Sequence, residues 1–252
     1  MERKIRQTLR EIERAHSVRI LHAVESGSRA WGFASPSSDY DVRFIYARPA
    51  ADYLRLAAPR DVIEWQLDSE LDVNGWDLQK ALRLLAKSNP TLFEWRNSPI
   101  VYQTTQAWQA AVSVIDGYFR SKAGLWHYLN TAQANYRECV KGEMVRLKKY
   151  FYVIRPILAC RWILDKGTPP PIRFADLMEA PLKPAMERLL AAKASMPELG
   201  EGARIDELNA YIEAQFSALR LLIQPPPEAA DQGWGELDRL FMSIVKGGDP
   251  HA

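Results

Sequence analysis

Apolar residues recur at helical spacing from residue 2 to 16, where Ile5, Leu9 and Ile12 fall on one stripe, and this predicts an amphipathic helix. Residues 18–25 (VRILHAVE) then carry the β-branched and apolar content of a buried strand, which ends where Ser26, Gly27 and Ser28 bring in turn formers. A short helix is expected over SRAWGF from Ser28, followed by a loop, SPSS, in which Pro36 discourages helix at Ser35. From Asp39 to Ile45 polar and apolar positions alternate, the period of a strand with two unlike faces. Residues 62–67 (VIEWQL) and 71–76 (LDVNGW), joined by a polar turn at 68–70, read as a β-hairpin or a pair of adjacent strands.

From Leu78 onward the period changes to that of helices. LQKALRLLAK is helical in spacing, Pro90 and Pro99 mark boundaries, and a series of helices is expected from about Gln106 to Lys166. TPPPI at 168–172 is a break, residues 204–223 form a further long helix, and QPPPEAADQG at 224–233 is a linker before a last short helix. The asymmetry predicts an α+β fold: a small mixed sheet with flanking helices in a domain over residues 1–100, then an all-α domain over 101–252.

Composition narrows the function classes. With 252 residues, 47% apolar and 25% charged, the chain is globular material rather than a disordered tail. Its 33 basic and 31 acidic side chains leave a net charge of +2, too balanced to announce a nucleic-acid partner, so any basic surface must be local. Cys139 and Cys160 lack CxxC spacing and read as small buried hydrophobes in a reducing compartment. A charged N-terminus and the lack of any run near the ~20 apolar residues of a membrane span predict a cytoplasmic protein without a membrane partner.

The stretch that carries chemistry runs from Gly27 to Val42: a glycine and serine just after one strand, then Asp39 and Asp41 flanking one residue on another. Strand side chains alternate, so both carboxylates are expected on one side, close enough to share a divalent cation that relieves their repulsion. Gly27 lets backbone approach a phosphate, Ser28 and the following amides offer donors to it, and Arg29 adds a charged fork. Phosphate donors beside metal ligands are what in-line phosphoryl transfer needs, because its catalysis is mostly positioning and charge neutralisation.

Gly27-Ser28 followed by Asp39-x-Asp41 resembles the signature of the DNA polymerase β superfamily of nucleotidyltransferases. The longer strings SGSRAWGFASPSSDYDVRFIY, WDLQKALRLLAKSNPTLFEW and KKYFYVIRPILACRW resemble, more narrowly, the RNA ligase-associated or RNA repair pathway polymerase β family, over roughly residues 20–165. The resemblance implies a polymerase β-like sheet, transfer of a nucleoside monophosphate from a nucleoside triphosphate, and a two-metal site using magnesium, with manganese as the alternative. It implies that Asp39 and Asp41 ligate both metals, and that Gly27 and Ser28 hold the β and γ phosphates. It also calls for a third carboxylate on a neighbouring strand, for which Asp72 is the first choice and Asp77 and Glu70 the competitors.

Other residues have two readings each. Asn89-Pro90 with Glu94 resembles a family element, but Asn caps and Pro opens helices in many proteins. Lys148, Lys149 and Arg155 lie among Tyr150, Tyr152 and Trp162, a mixture suited to stacking a base and binding phosphate, and Lys149 is the candidate nucleotide contact. His127 reads as a structural histidine, and Trp31 as a packing residue or a nucleotide contact. The acceptor stays open among an RNA end, a protein hydroxyl, as in antitoxin-type enzymes, and a small molecule. The competing class is a nucleotide-binding scaffold without turnover.

Overall fold

In a computed structural model the described residues are 1–36, 38–68, 70–140, 142–195, 200–225 and 233–247; of 66–68, 139, 181 and 192–195 the backbone alone is described. Ser37 of the expected loop, Ser69 of the expected turn, the side chain of Cys139 and most of the 224–233 linker lie outside them. The elements run α1 (Glu2–His16), β1 (Arg19–Glu25), α2 (Gly27–Ala30), β2 (Tyr40–Ala47), β3 (Val62–Asp68), β4 (Leu71–Asp77), α3 (Leu78–Ala86), α4 (Pro90–Arg96), β5 (Val101–Thr104) and α5 (Gln106–Gly117). After them come α6 (Ser121–Cys139), β6 (Met144–Arg146), α7 (Lys149–Lys166), α8 (Phe174–Leu177), α9 (Lys183–Ser195), β7 (Glu201–Ala203), α10 (Asp206–Leu222) and α11 (Trp234–Lys246).

The chain forms two compact units, one of residues 1–30, 39–119 and 229–252, the other of 31–38 and 120–228. In the first, five strands stand in the order β3-β4-β2-β1-β5; β2 and β4 are parallel and the other neighbours antiparallel. Strand alternation sends Val42, Phe44 and Tyr46 of β2 to one face, where Ile5, Leu9 and Ile12 of α1 cover them. Ile45 and Ala47 go to the other face, against Leu78, Leu82 and Leu85 of α3, Trp108 and Ile115 of α5, and Leu237, Leu240 and Ile244 of α11. Asp41 and Arg43 therefore share a face with Ile45, at its polar end.

The expected division near residue 100 falls inside this first unit. Its physical reason is the second face of the sheet, whose apolar cover is completed by α5 and by α11 from the far end of the chain. Strand β5, which the periodicity did not reveal, pairs antiparallel with β1 at the sheet edge.

The second unit is built around α7, apolar on most of its circumference, with Tyr150, Phe151, Ile154, Ile157, Leu158 and Ile163 buried. Phe33 from the 31–38 segment stacks on Phe151 at 4.5 Å and meets Phe174 edge-on at 5.7 Å, and the Phe174 amide donates to the Trp31 carbonyl. Among its described residues the unit carries a two-stranded ribbon of β6 and β7, and its other regular elements are helices. Cys160 is a free buried thiol whose pKa burial pushes up to about 12. Among the described residues no helix is long and apolar enough to cross a membrane.

Candidate active site

The parallel register of β2 and β4 sets Asp41 opposite Asp72. Both carboxylates reach one cation: the Arg43 guanidinium donates through Nη2 to Asp41 Oδ1 at 3.1 Å and to Asp72 Oδ2 at 2.7 Å. Its Nη1 donates to the carbonyls of Val42 and Asp72, both at 3.1 Å, which fixes the fork against the two strands. Arg43 is two residues beyond Asp41, so alternation returns it to the same face. Its side chain is 18% exposed, against 29% for Asp41 and 54% for Asp72, so the bridge roots in the sheet and opens outward at Asp72.

The turn that ends β1 lies directly on this pair. Gly27 has φ +57°, a conformation that side chains resist, and a Cβ there would stand 2.0 Å from Asp41 Oδ2 and 2.9 Å from its Cγ. Beneath it Glu25, fully buried, accepts from the Asp41 amide at 2.8 Å and from the Tyr102 hydroxyl, while the Ser26 amide donates to the Asp41 carbonyl at 2.8 Å. These bonds lock the end of β1 to the start of β2. Burial pushes the pKa of Asp41 up; Arg43 opposes that rise, while the charges of Asp72 and Asp39 add to it. Burial likewise raises Glu25, against the stabilising bond from Tyr102.

A model of the RNA repair pathway DNA polymerase beta family matches residues 1–243. The chain belongs to this family. Among relatives, the uncharacterized protein YcgL of Bacillus subtilis (strain 168) is 43% identical over 253 residues, covering 98% of this chain and 97% of its own length. A crystal structure of a nucleotidyltransferase-like protein from Exiguobacterium sibiricum 255-15 shares 12% identity, covering 85% of this chain and 75% of that one at a TM-score of 0.31, too low to bear on fold or site.

In this member of the RNA repair polymerase β family the candidate carboxylates have unlike surroundings. Asp39 is exposed and lies one residue before β2; its carbonyl accepts from Arg29 Nε at 3.1 Å, and Arg29 also lies 3.6 Å over the Tyr40 ring. Ser28 is buried within α2, which begins at Gly27 and stops at Ala30, short of the helix expected through Phe33, because Trp31 and Gly32, with φ +83°, turn the chain. Among the described residues no three His, Cys, Asp or Glu side chains gather closely enough to hold one metal ion. Asp41 and Asp72 are drawn together through Arg43 instead.

Asp77 stands opposite Tyr46, five positions along the strand from Asp41, or roughly 16 Å at strand rise. It is buried, accepts from the Gln79 amide at 2.8 Å to cap α3, accepts from the Tyr53 hydroxyl at 3.2 Å, and pairs with Arg48. Glu70 is exposed, and its carbonyl accepts from the Tyr40 amide at 2.7 Å. Asn89 caps α4 through the Thr91 amide at 2.9 Å, with Pro90 opening the helix and Glu94 inside it. In the second unit Lys149 Nζ lies 4.9 Å from the Tyr152 ring, Tyr152 meets Trp31 edge-on at 5.3 Å, and the Arg155 guanidinium lies 4.5 Å from the Trp31 ring. Lys148 directly precedes α7, and half-buried His127 meets the Tyr128 ring edge-on.

Sequence reasoning missed Arg43 and Glu25. A signal for each was present: an arginine at alternate spacing from Asp41, on the same face of the strand, and a glutamate closing an apolar strand just before the turn.

Proposed function

We propose that this chain is a divalent-metal-dependent nucleotidyltransferase that moves a nucleoside monophosphate from a nucleoside triphosphate to a hydroxyl acceptor. The observation that carries the reading is the meeting of Asp41 and Asp72 across the parallel strands with the Gly27 turn pressed against Asp41. Carboxylate pairs that share a guanidinium are hard-oxygen donors with a demand for positive charge, and this donor set fits magnesium or manganese. Asp41 and Asp72 would hold it, with Asp39 at the edge of the same strand. Bound there, the metal supplies charge neutralisation at the transferring phosphate.

The protein's own groups do the rest. Gly27, lacking a Cβ, lets the turn close onto the Asp41 carboxylate, and Ser28 and Arg29 of that turn offer donors to a triphosphate. Lys149, over the Tyr152 ring and among aromatic neighbours, suits a phosphate or base. In the reaction the acceptor hydroxyl gives up its proton to a neighbouring carboxylate, its oxygen bonds to the α phosphorus, the α–β bridge breaks and pyrophosphate leaves. Asp72, the more exposed carboxylate, is open to that acceptor.

The family description favours an RNA end as acceptor. The test is incubation with magnesium, α-labelled triphosphates, and RNA ends, protein or small-molecule acceptors in parallel. Transfer is expected to RNA, to weaken as salt rises, and to fall at least about a hundredfold in Asp41→Asn and Asp72→Asn. Transfer to a protein or small molecule alone would replace RNA as acceptor. Nucleotide binding without turnover would leave a scaffold, and no metal-dependent nucleotide binding at all would overturn the reading.

A further inference from the structure

Arg43 occupies an unusual place for a cation. One nitrogen, Nη2, touches both carboxylates, and its companion Nη1 is spent on two backbone carbonyls of the same pair of strands. The side chain is more buried than either acid it bridges, so it sits on the sheet side of them rather than arriving from solvent. Asp41 in turn is closed in by Gly27 on one flank, and its Oδ1 and Asp72 Oδ2 converge on the same nitrogen. Two carboxylates 3.1 and 2.7 Å from one positive group have about half of their charge already offset before a second cation arrives.

We infer that Arg43 is a built-in counter-ion of the acidic pair, and that a divalent cation enters the site by displacing its guanidinium from Asp41 and Asp72. The inference rests on the proposed function, since it concerns how the same carboxylates come to hold a metal. Its physical content is an exchange. Without metal the guanidinium offsets the repulsion of the two acids and holds β2 and β4 in register at their polar ends. With metal the carboxylate oxygens turn to the stronger charge and the fork is released. The consequence is an affinity for free metal set below what the two acids alone would give, so that occupancy depends on the charge brought by a triphosphate.

The test is manganese binding to the full chain, followed by electron paramagnetic resonance of free Mn2+ at about pH 8, above the usual carboxylate range. Wild type, Arg43→Gln and Arg43→Lys are compared, each with an unperturbed unfolding transition as the check on folding. Arg43→Gln is expected to bind manganese about tenfold more tightly without nucleotide. Arg43→Lys, which keeps the charge but loses the Nη1 bonds to the Val42 and Asp72 carbonyls that seat the head group between the acids, is expected to fall between the two. Unchanged or weaker binding in Arg43→Gln overturns the exchange. So does Arg43→Lys behaving as wild type, which would reduce the effect to a general field, and so does a manganese-bound structure in which the fork still holds both carboxylates. If wild type binds manganese with a non-hydrolysable triphosphate and the variants show no gain, the exchange alone fails. If no form binds manganese with or without triphosphate, the nucleotidyltransferase reading fails with it.

Discussion

At the scale of single residues, the site turns on a contact that only the smallest side chain permits. Gly27 carries two separate constraints: a left-handed φ of +57° and an absent Cβ whose place is filled by the Asp41 carboxylate. Gly32 has the first without the second, with φ +83° and nothing within 4 Å of its would-be Cβ. The pair separates backbone strain from collision. Gly32→Ala is expected to lose only about 1–2 kcal/mol, from the left-handed conformation. Gly27→Ala is expected to lose more, about 2–4 kcal/mol in unfolding free energy by denaturant titration, because Asp41 must also move from Arg43 and from the bond network anchored on Glu25. Nucleotidyl transfer should fall sharply in Gly27→Ala, since the displaced carboxylate is one of the pair. Equal stability losses in the two variants would show that the close approach to Asp41 carries no energy.

Among elements, β4 carries two acids in unlike surroundings. Its first acid, Asp72, is half exposed and faces Asp41; its last, Asp77, is buried, caps α3 and holds Arg48 and Tyr53. Burial pushes the pKa of Asp77 up, with the Gln79 amide, Tyr53 and Arg48 opposing that rise. Asp77→Ala is expected to cost about 2–4 kcal/mol, from a lost helix cap and a largely buried arginine left without its counter-charge. Asp72→Ala should change stability by less than about 1 kcal/mol, because its pair with Arg43 is open to solvent. Urea unfolding of the two variants decides; a larger stability loss at Asp72 would reverse the assignment. Much of this was legible in the sequence. The strand periods placed β1, β2 and the neighbouring β3 and β4. The acid spacing put Asp39 and Asp41 forward together, and the family resemblance put Asp72 ahead of Asp77; the register that sets Asp41 opposite Asp72 is what the structure adds. The bridge by Arg43 was not legible, because it depends on the pairing of β2 with β4, a non-local register that no local pattern encodes. Strand β5 was missed because only Tyr102 of its four residues is buried, and the β6–β7 ribbon because its three-residue strands are too short for a period to register.

For the whole molecule, the folding unit that carries the acids is discontinuous in sequence. The chain leaves it after Ala30, returns at Asp39, leaves again after Phe119 and contributes α11 from its far end. A helical pattern after Leu78 suggested a domain change near residue 100, yet a sheet has two faces to cover, and α1 covers only one. The other needs α11, whose Leu237, Leu240 and Ile244 are buried, and whose ends are tied by Tyr118 donating to the Gly233 carbonyl at 2.7 Å and Arg19 donating to the Ile244 carbonyl at 2.6 Å. Burying three such aliphatic side chains contributes about 1.5–3 kcal/mol each, so α11 supplies roughly 5–9 kcal/mol. Whole-domain stabilities are only about 5–15 kcal/mol. A chain ending at residue 228 is therefore expected to lose most of the stability of the sheet unit although every candidate site residue remains in it. Hydrogen exchange of the β1 and β2 amides measures this directly: protection in those strands should collapse in the shortened chain, and the capacity for nucleotidyl transfer should go with it. Full protection of β1 and β2 without α11 would mean that α3 and α5 alone suffice to cover the second face.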